Sequence, residues 1–281
     1  MPRRPAPPPA RPAFQHSVLD AVLGELHPRG TQDAAASRRG LRLPRERLAQ
    51  ALLLALALTG LLLLLRPFIA TLWADELVWW ITRMELSGQA SAHLDPAELP
   101  FLIATPQVQL FIDAPSTAAL MYNAIAVVAL WWLAGLLPDA ARPAGLLLRA
   151  GCVIHGAAVL FFWRWPASFP HAVGEHIGHG LQQCWLLMLL APWLHLAIHW
   201  LHDVGWHHRL TLTLLTWLYL FLLAPLLYAT HALVLHAGGL LAMPLLHLMF
   251  GVVVAVIGIV ALYGWAMSWS TVTPPRLPRA G

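Results

Sequence analysis

Charge is what this chain has least of. Only 11% of its 281 residues are Asp, Glu, Lys or Arg, against about 25% in soluble globular domains. That is too little to cover a water-facing surface, so a soluble globular fold is excluded. Lysine is missing altogether, and all 17 basic residues are arginine. These arginines lie beside apolar segments rather than along one soluble face, so the net charge of +4 does not read as nucleic-acid binding. Cysteine is scarce too. Cys152 and Cys184 each fall inside an apolar run; without a CxxC pair or a disulfide framework they read as small buried residues. No nucleophile elbow, phosphate loop, HExxH or paired-carboxylate site is present, so no motif names a reaction. There is no internal repeat.

What the chain has is apolar length. Hydrophobic residues make up 59% of it, gathered into blocks near 48–70, 117–137, 144–163, 178–202, 209–230 and 239–268. Crossing a bilayer takes about 20 apolar residues, so the expected fold is an all-α polytopic transmembrane bundle of about six helices. Residues 1–48 read as a flexible basic cytoplasmic tail, rich in Pro, Arg and Ala, residues 49–270 as the membrane domain, and 271–281 as a short cytoplasmic tail. The first block reads as an uncleaved anchor. Trp79, Trp80, Trp131, Trp132, Trp163, Trp165 and Trp206 fall near block ends, where amphipathic rings favour the headgroup level. Pro192, Pro225 and Pro244 interrupt three blocks and predict kinks.

Arginine placement orients the chain. With the N-terminus inside, nine tail arginines and Arg142, Arg149, Arg209, Arg276 and Arg279 are cytoplasmic, leaving Arg66, Arg83 and Arg164 outside. The positive-inside rule therefore puts both termini in the cytoplasm. The loop 74–116, with six carboxylates against one arginine, becomes the outer face. Leu77, Trp80, Ile81 and Met84 recur at helical spacing, which predicts an interfacial amphipathic helix over 75–86. Val108, Leu110 and Ile112 alternate with Gln107, Gln109 and Phe111 and predict a short strand. Together they predict a small outer lid.

Fifteen histidines are the polar feature, and the topology sorts them into two layers. The outer layer holds His171, His176 and His179, with Glu175, from the start of the fourth block. His231 and His236 join it from the next outer loop. The inner layer holds His195, His199 and His202, spaced i, i+4, i+7 on one helix face, then His207 and His208. His155 and His247 lie deeper. Neutral imidazoles at such spacing can share copper, zinc or iron. Intramembrane histidines otherwise hydrogen-bond a neighbouring helix or face a cavity, and both readings stand. The outer layer, drawn from two loops and including a carboxylate, is the better metal candidate. Cys184 reads as a buried apolar residue, although His176, His179 or Arg164 on the same side could activate a thiol there.

Specific cofactor patterns narrow this further. His195-x3-His199 and His202-x4-His207-His208 are similar to two boxes of membrane di-iron oxygenases, but the remaining boxes are absent. His179 with His195, and His231 with His247, are each 16 apart, not the 13 or 14 of two-haem b-type cytochromes. A single haem b between helices remains open beside copper and zinc.

The layout across residues 50–202 resembles the membrane proteins that accompany exosortases. The similarity runs from an anchor helix and acidic outer loop to MYNAIAVVALWWLAG at 121–135 and GLQQCWLLMLLAPWLHLAIHWL at 180–201. Two further helices beyond residue 209 depart from that pattern, and the Cys, Arg, His set of the exosortases themselves has no counterpart here. LLMLLAP at 186–192 is similar to one helix of a membrane family that assists copper-oxidase assembly. The resemblance implies an accessory or assembly protein of the bacterial inner membrane, without catalysis of its own, working through the bilayer and a membrane-protein partner. The histidines imply the alternative, a metal- or haem-binding protein of electron transfer or cofactor delivery. Proton-coupled transport is opposed by the scarcity of intramembrane carboxylates. Reporter fusions inside 74–116 should report the outer side and fusions to the N-terminal tail the cytoplasm; a shared side would remove the two histidine layers.

Overall fold

A computed structural model describes residues 45–86, 88–95, 99–201 and 206–268. The chain divides into two compact units, Met1–Gln50 and Ala51–Gly281. Of the first, only Arg45–Gln50 is described, and it is helical. The proposed tails at 1–48 and 271–281 lie almost wholly outside the described residues.

The second unit is mostly helical. Helix α1 (Arg45–Arg83) is followed by strands β1 (Gly88–Asp95) and β2 (Thr105–Leu110). Then come α2 (Thr117–Gly135), α3 (Arg142–Arg164), α4 (Val173–Leu201) and α5 (Trp206–Gly238). A 3-10 turn (Leu240–Ala242), one helical turn (Met243–Leu245) and a π-helical segment (Leu246–Gly251) lead into α6 (Val252–Met267). Among the described residues, five helices are long and apolar enough to cross a membrane: Leu48–Arg83, Thr117–Gly135, Asp139–Arg164, Trp206–Gly238 and Leu240–Ala266. Helix α4 mixes polar and apolar residues. It carries Glu175, His176, His179, Gln182 and Gln183, and it buries Ile177, Leu181, Cys184, Trp185, Met188 and Ala191 against the rest of the fold. Its Leu186, Leu190 and Leu194, spaced i, i+4 and i+8, stay exposed.

Several sequence expectations are corrected. The segment 75–83 is no separate interfacial helix, because α1 runs unbroken for 39 residues through Pro67. The periodicity itself holds, with Leu77 and Ile81 buried in the main core. That helix ends where Glu85 takes a left-handed φ of 52°. Residues 107–110 of the alternating stretch lie in strand β2, with Val108 and Leu110 buried. Its antiparallel partner β1 pairs Gly88 with Leu110 and Asp95 with Thr105; at GQASAHLD the pattern carries no alternation to read. Strand β2 packs on the first turns of α4, where a Cβ on Gly174 would collide with the Val108 carbonyl.

Two apolar clusters form the core. The larger joins α1, the hairpin, α4, α5 and the last segments around Trp73, Trp185, Leu220 and Tyr228. The smaller joins Leu120 of α2, Val159 and Phe162 of α3, and Leu241.

At two prolines a tryptophan fills the hole left in the backbone ladder. Pro192 has no N–H for the Met188 carbonyl one turn earlier, and Pro225 has none for Phe221. The Trp217 indole of α5 donates to Met188 O at 2.8 Å, and the Trp73 indole of α1 donates to Phe221 O at 3.0 Å. The irregular stretch 99–104 is held the same way. Trp185 donates to Phe101 O at 2.8 Å, and the Arg66 guanidinium donates to the Pro100 and Leu102 carbonyls. Trp193 reaches Thr59 Oγ1 at 3.1 Å and ties α4 to α1.

Trp217→Phe should therefore cost about 1–3 kcal/mol, the penalty of an unpaired buried acceptor. Adding Pro192→Ala, which returns an amide N–H at position 192, should recover most of it. Thermal unfolding in detergent reads both, and simple addition of the two losses would refute the pairing.

Candidate functional site: a histidine cluster beside an apolar cavity

Helix α4 begins with a reach-back contact in which Glu175 Oε2 accepts from the Ala172 N–H at 3.3 Å, the geometry that satisfies an orphan N-terminal donor. This fixes the first turn and turns His176 inward. Helix α5 runs past the expected boundary at 230 to Gly238. His231 and His236 are therefore helical and not in a loop, as their sequence position had suggested. Gly239, at φ 75°, ends α5 while its N–H bonds Leu235 O at 2.9 Å. The chain can then turn back through Pro244 into the π segment, which carries His247.

These elements bring three histidines together. His176 Nε2 and His231 Nδ1 lie 3.1 Å apart in a hydrogen bond, with the rings nearly parallel at 15°. The His247 ring is 5.5 Å from that of His176. Tyr228, one turn before His231, stands edge-on to both, at 5.0 Å from His231 and 5.9 Å from His176. It is seated by small residues: a Cβ on Gly180 would overlap its ring, and Gly251 of the π segment faces its hydroxyl. His176 is 5% exposed and His231 is 1% exposed. One ring must donate and the other accept, since neutral imidazole has one N–H and one lone pair. His231 Nε2 is buried without a hydrogen-bond partner; the Phe250 backbone lies beside the ring, but no bond of good geometry closes there.

A cavity of about 690 Å³ opens against this cluster. Val153, Ala157, Phe161 and Phe162 of α3, with Met243 and Leu248, form its apolar walls, and His171, Glu175, His176, His179 and His247 form its polar end. It lies where the α2–α3 cluster meets the segment after α5. A second, polar pocket of about 340 Å³ lies under the hairpin, lined by Asp95, Gln107, Gln109 and Gln182, and it shares Glu175 and His179 with the first.

The outer set is thus partly assembled. His176 and His231 touch. His171 and His179 are exposed at the cavity, with the His171 ring 5.6 Å from Phe169. His236 is exposed on α5 and does not line the cavity, because five residues of helix carry it about 140° round from His231. The inner set does not form a comparable cluster among the described residues. His195 is buried, with Nδ1 2.9 Å from Thr213 Oγ1. His199 lies in the last turns of α4, and His202 lies outside the described residues. His155 bonds Asn123 Oδ1 at 2.8 Å. Cys184 and Cys152 are buried free cysteines. Among the described residues, no three His, Cys, Asp or Glu side chains converge as a ready metal cage.

Sequence reasoning missed His247 and Tyr228 as members of the cluster. The signal for Tyr228 was its i, i+3 spacing to His231 on a helix. His247 had no such signal, since a π turn changes which face a residue occupies.

Replacing His176 by Leu leaves His231 buried with both nitrogens unpaired. A loss of about 1–3 kcal/mol is expected in detergent unfolding, partly restored by adding His231→Leu; full additivity would show that the pair is not coupled. Compared with known proteins, the chain matches no family model, no curated protein and no solved structure.

Proposed function

We propose that this is a metal-binding protein of the bacterial inner membrane, which holds copper or zinc at His176, His231 and His247 for electron transfer or cofactor delivery. The observation that carries this reading is the 3.1 Å contact between His176 Nε2 and His231 Nδ1. Two imidazole nitrogens on one tetrahedral ion at 2.0–2.1 Å stand about 3.3 Å apart, so the pair already has ligand spacing. The metal would take the place of the shared proton, and a rotation of His247, whose ring is 5.5 Å from that of His176, would supply a third nitrogen. Ligating histidines commonly donate their second N–H to a carbonyl. The Phe250 backbone beside the His231 ring belongs to the π segment and suits that role. In the same reading α4 is the sixth crossing, the hairpin is the outer lid, and both termini face the cytoplasm. Fourteen of the 17 arginines fall on that side in this arrangement.

A second reading, an accessory protein that works through a membrane partner, is favoured by the hairpin. Its two strands pair only with each other among the described residues, and Phe111 just beyond them is 73% exposed. The resemblance to exosortase-associated proteins belongs to this reading.

Elemental analysis of the full chain in detergent, after loading with copper or zinc and desalting, separates the two. About one metal per chain is expected, falling at least tenfold in His176→Ala and His231→Ala and unchanged in His195→Ala. No retained metal, or equal retention in all variants, would leave the accessory reading.

A further inference from the structure

We infer that the apolar cavity between α3, the start of α4 and the Met243–Leu248 segment is a binding site for an uncharged, ring-headed lipophile of the benzoquinone class, taken up from the bilayer.

The lining divides by chemistry. One side is aliphatic and aromatic, from Val153 and Ala157 to Phe161 and Phe162; the other end offers His171, Glu175 and His179. Such an arrangement fits an amphiphile whose ring is clasped by apolar walls while its oxygens meet hydrogen-bonding groups. The volume of about 690 Å³ falls in the range of small-molecule sites, about 300–1,000 Å³.

Charge narrows the head. No arginine lines the cavity, and its one carboxylate, Glu175, would oppose a phosphate. A phosphate-headed lipid normally meets arginine or lysine, and this chain has no lysine. Neutral imidazole both donates and accepts, which suits carbonyl and hydroxyl oxygens.

The aromatic lining narrows it to a ring. Phe162 and Phe169 lie 4.9 Å apart, and Phe169 meets the His171 ring at 5.6 Å. A planar head finds offset or edge-on partners there. The route in is apolar as well. Val153 and Leu248 of the lining are 60% and 55% exposed, and each belongs to a helix segment long and apolar enough to cross a membrane. The cavity wall is therefore continuous with surface that lipid would cover, and a tail would leave by that side.

The site shares His176 and His247 with the proposed metal centre but does not require a metal. Calorimetric titration of the detergent-solubilised full chain with a decyl-substituted benzoquinone, against a detergent blank, tests it. Saturable binding is expected, weakened about tenfold or more by Ala157→Trp, which fills the apolar wall, and by His179→Leu, which removes a polar partner. Should Ala157→Trp fail to fold, Val153→Trp at the cavity mouth gives the same readout. Metal retention in Ala157→Trp should match that of the unaltered chain, so loss of quinone binding and loss of metal binding are read separately. No binding above the blank, wild-type affinity in the filled variants, displacement by equimolar phosphatidylglycerol, or a Soret band from haem in the purified protein would each overturn the inference.

Discussion

The fold depends on returning hydrogen bonds to carbonyls that proline has stripped of their donors. In lipid no water repairs such a gap, and each bare group costs several kcal/mol. Proline in a membrane helix is tolerated where neighbouring helices, hydroxyl side chains, water or local backbone adjustment re-satisfy the freed groups. Here the donors are indoles. Trp217 serves the carbonyl freed by Pro192, and Trp73 the one freed by Pro225. Because indole donates and never accepts, and its body is apolar, it can repair a ladder without bringing a polar group that needs a partner of its own. The two bonds also set geometry. One joins α5 to α4 and the other α1 to α5, so the helices are tied together at the carbonyls that proline leaves free.

That clamping determines what the upper ends of α4 and α5 do. With Met188 held to Trp217, the two helices run on past their prolines toward His176 and His231, whose nitrogens meet at 3.1 Å. Gly180 and Gly251 then let Tyr228 stand between the helices, close to both rings. The π segment adds His247 by shifting the face of the last helix. None of the three histidines is placed by a loop. A site built on packed helices holds its geometry better than one on mobile connections, and here the same packing leaves a cavity where the small α2–α3 cluster meets the large one.

Much of this was legible from residue patterns, and the failures have identifiable causes. Apolar run length located the helices because a bilayer admits few alternatives. Alternation at Val108 and Leu110 located one strand, while GQASAHLD hid the other because neither of its faces is apolar throughout. The prolines announced freed carbonyls. Which tryptophans would serve them was not readable, since Trp73 and Trp217 look no different in sequence from Trp79 or Trp206 at the block ends. The fifth apolar block ends at 230 in sequence, which places His231 and His236 in a loop; α5 continues to Gly238, so His236 stands about 140° round from His231. His247 joins the cluster through a π turn that a 3.6-residue period does not anticipate. The place of Glu175 and His179 at the cavity is legible because they begin an apolar helix, where polar residues face a cavity or an end.

The buried groups left without partners show where such a bundle departs from its own rule. Among the described residues they are Arg149 Nε, His155 Nδ1 and His231 Nε2. Arg149 retains a place for its charge over the Trp131 ring at 5.4 Å, and His155 spends its other nitrogen on Asn123. His231 is different, because at 1% exposure neither water nor lipid headgroups reach it. Leucines at both 176 and 231 would fill similar space and leave nothing unsatisfied, as replacing both partners of a buried polar pair by apolar groups is often nearly neutral. A bundle that repairs the Pro192 and Pro225 gaps with indoles yet keeps two imidazoles in contact leaves His231 Nε2 as an unpaired polar group, at a cost in stability. A bound ion would offset it, because it turns the lone pair of each ring into a ligand and gives the second N–H of His231 a reason to face the Phe250 backbone.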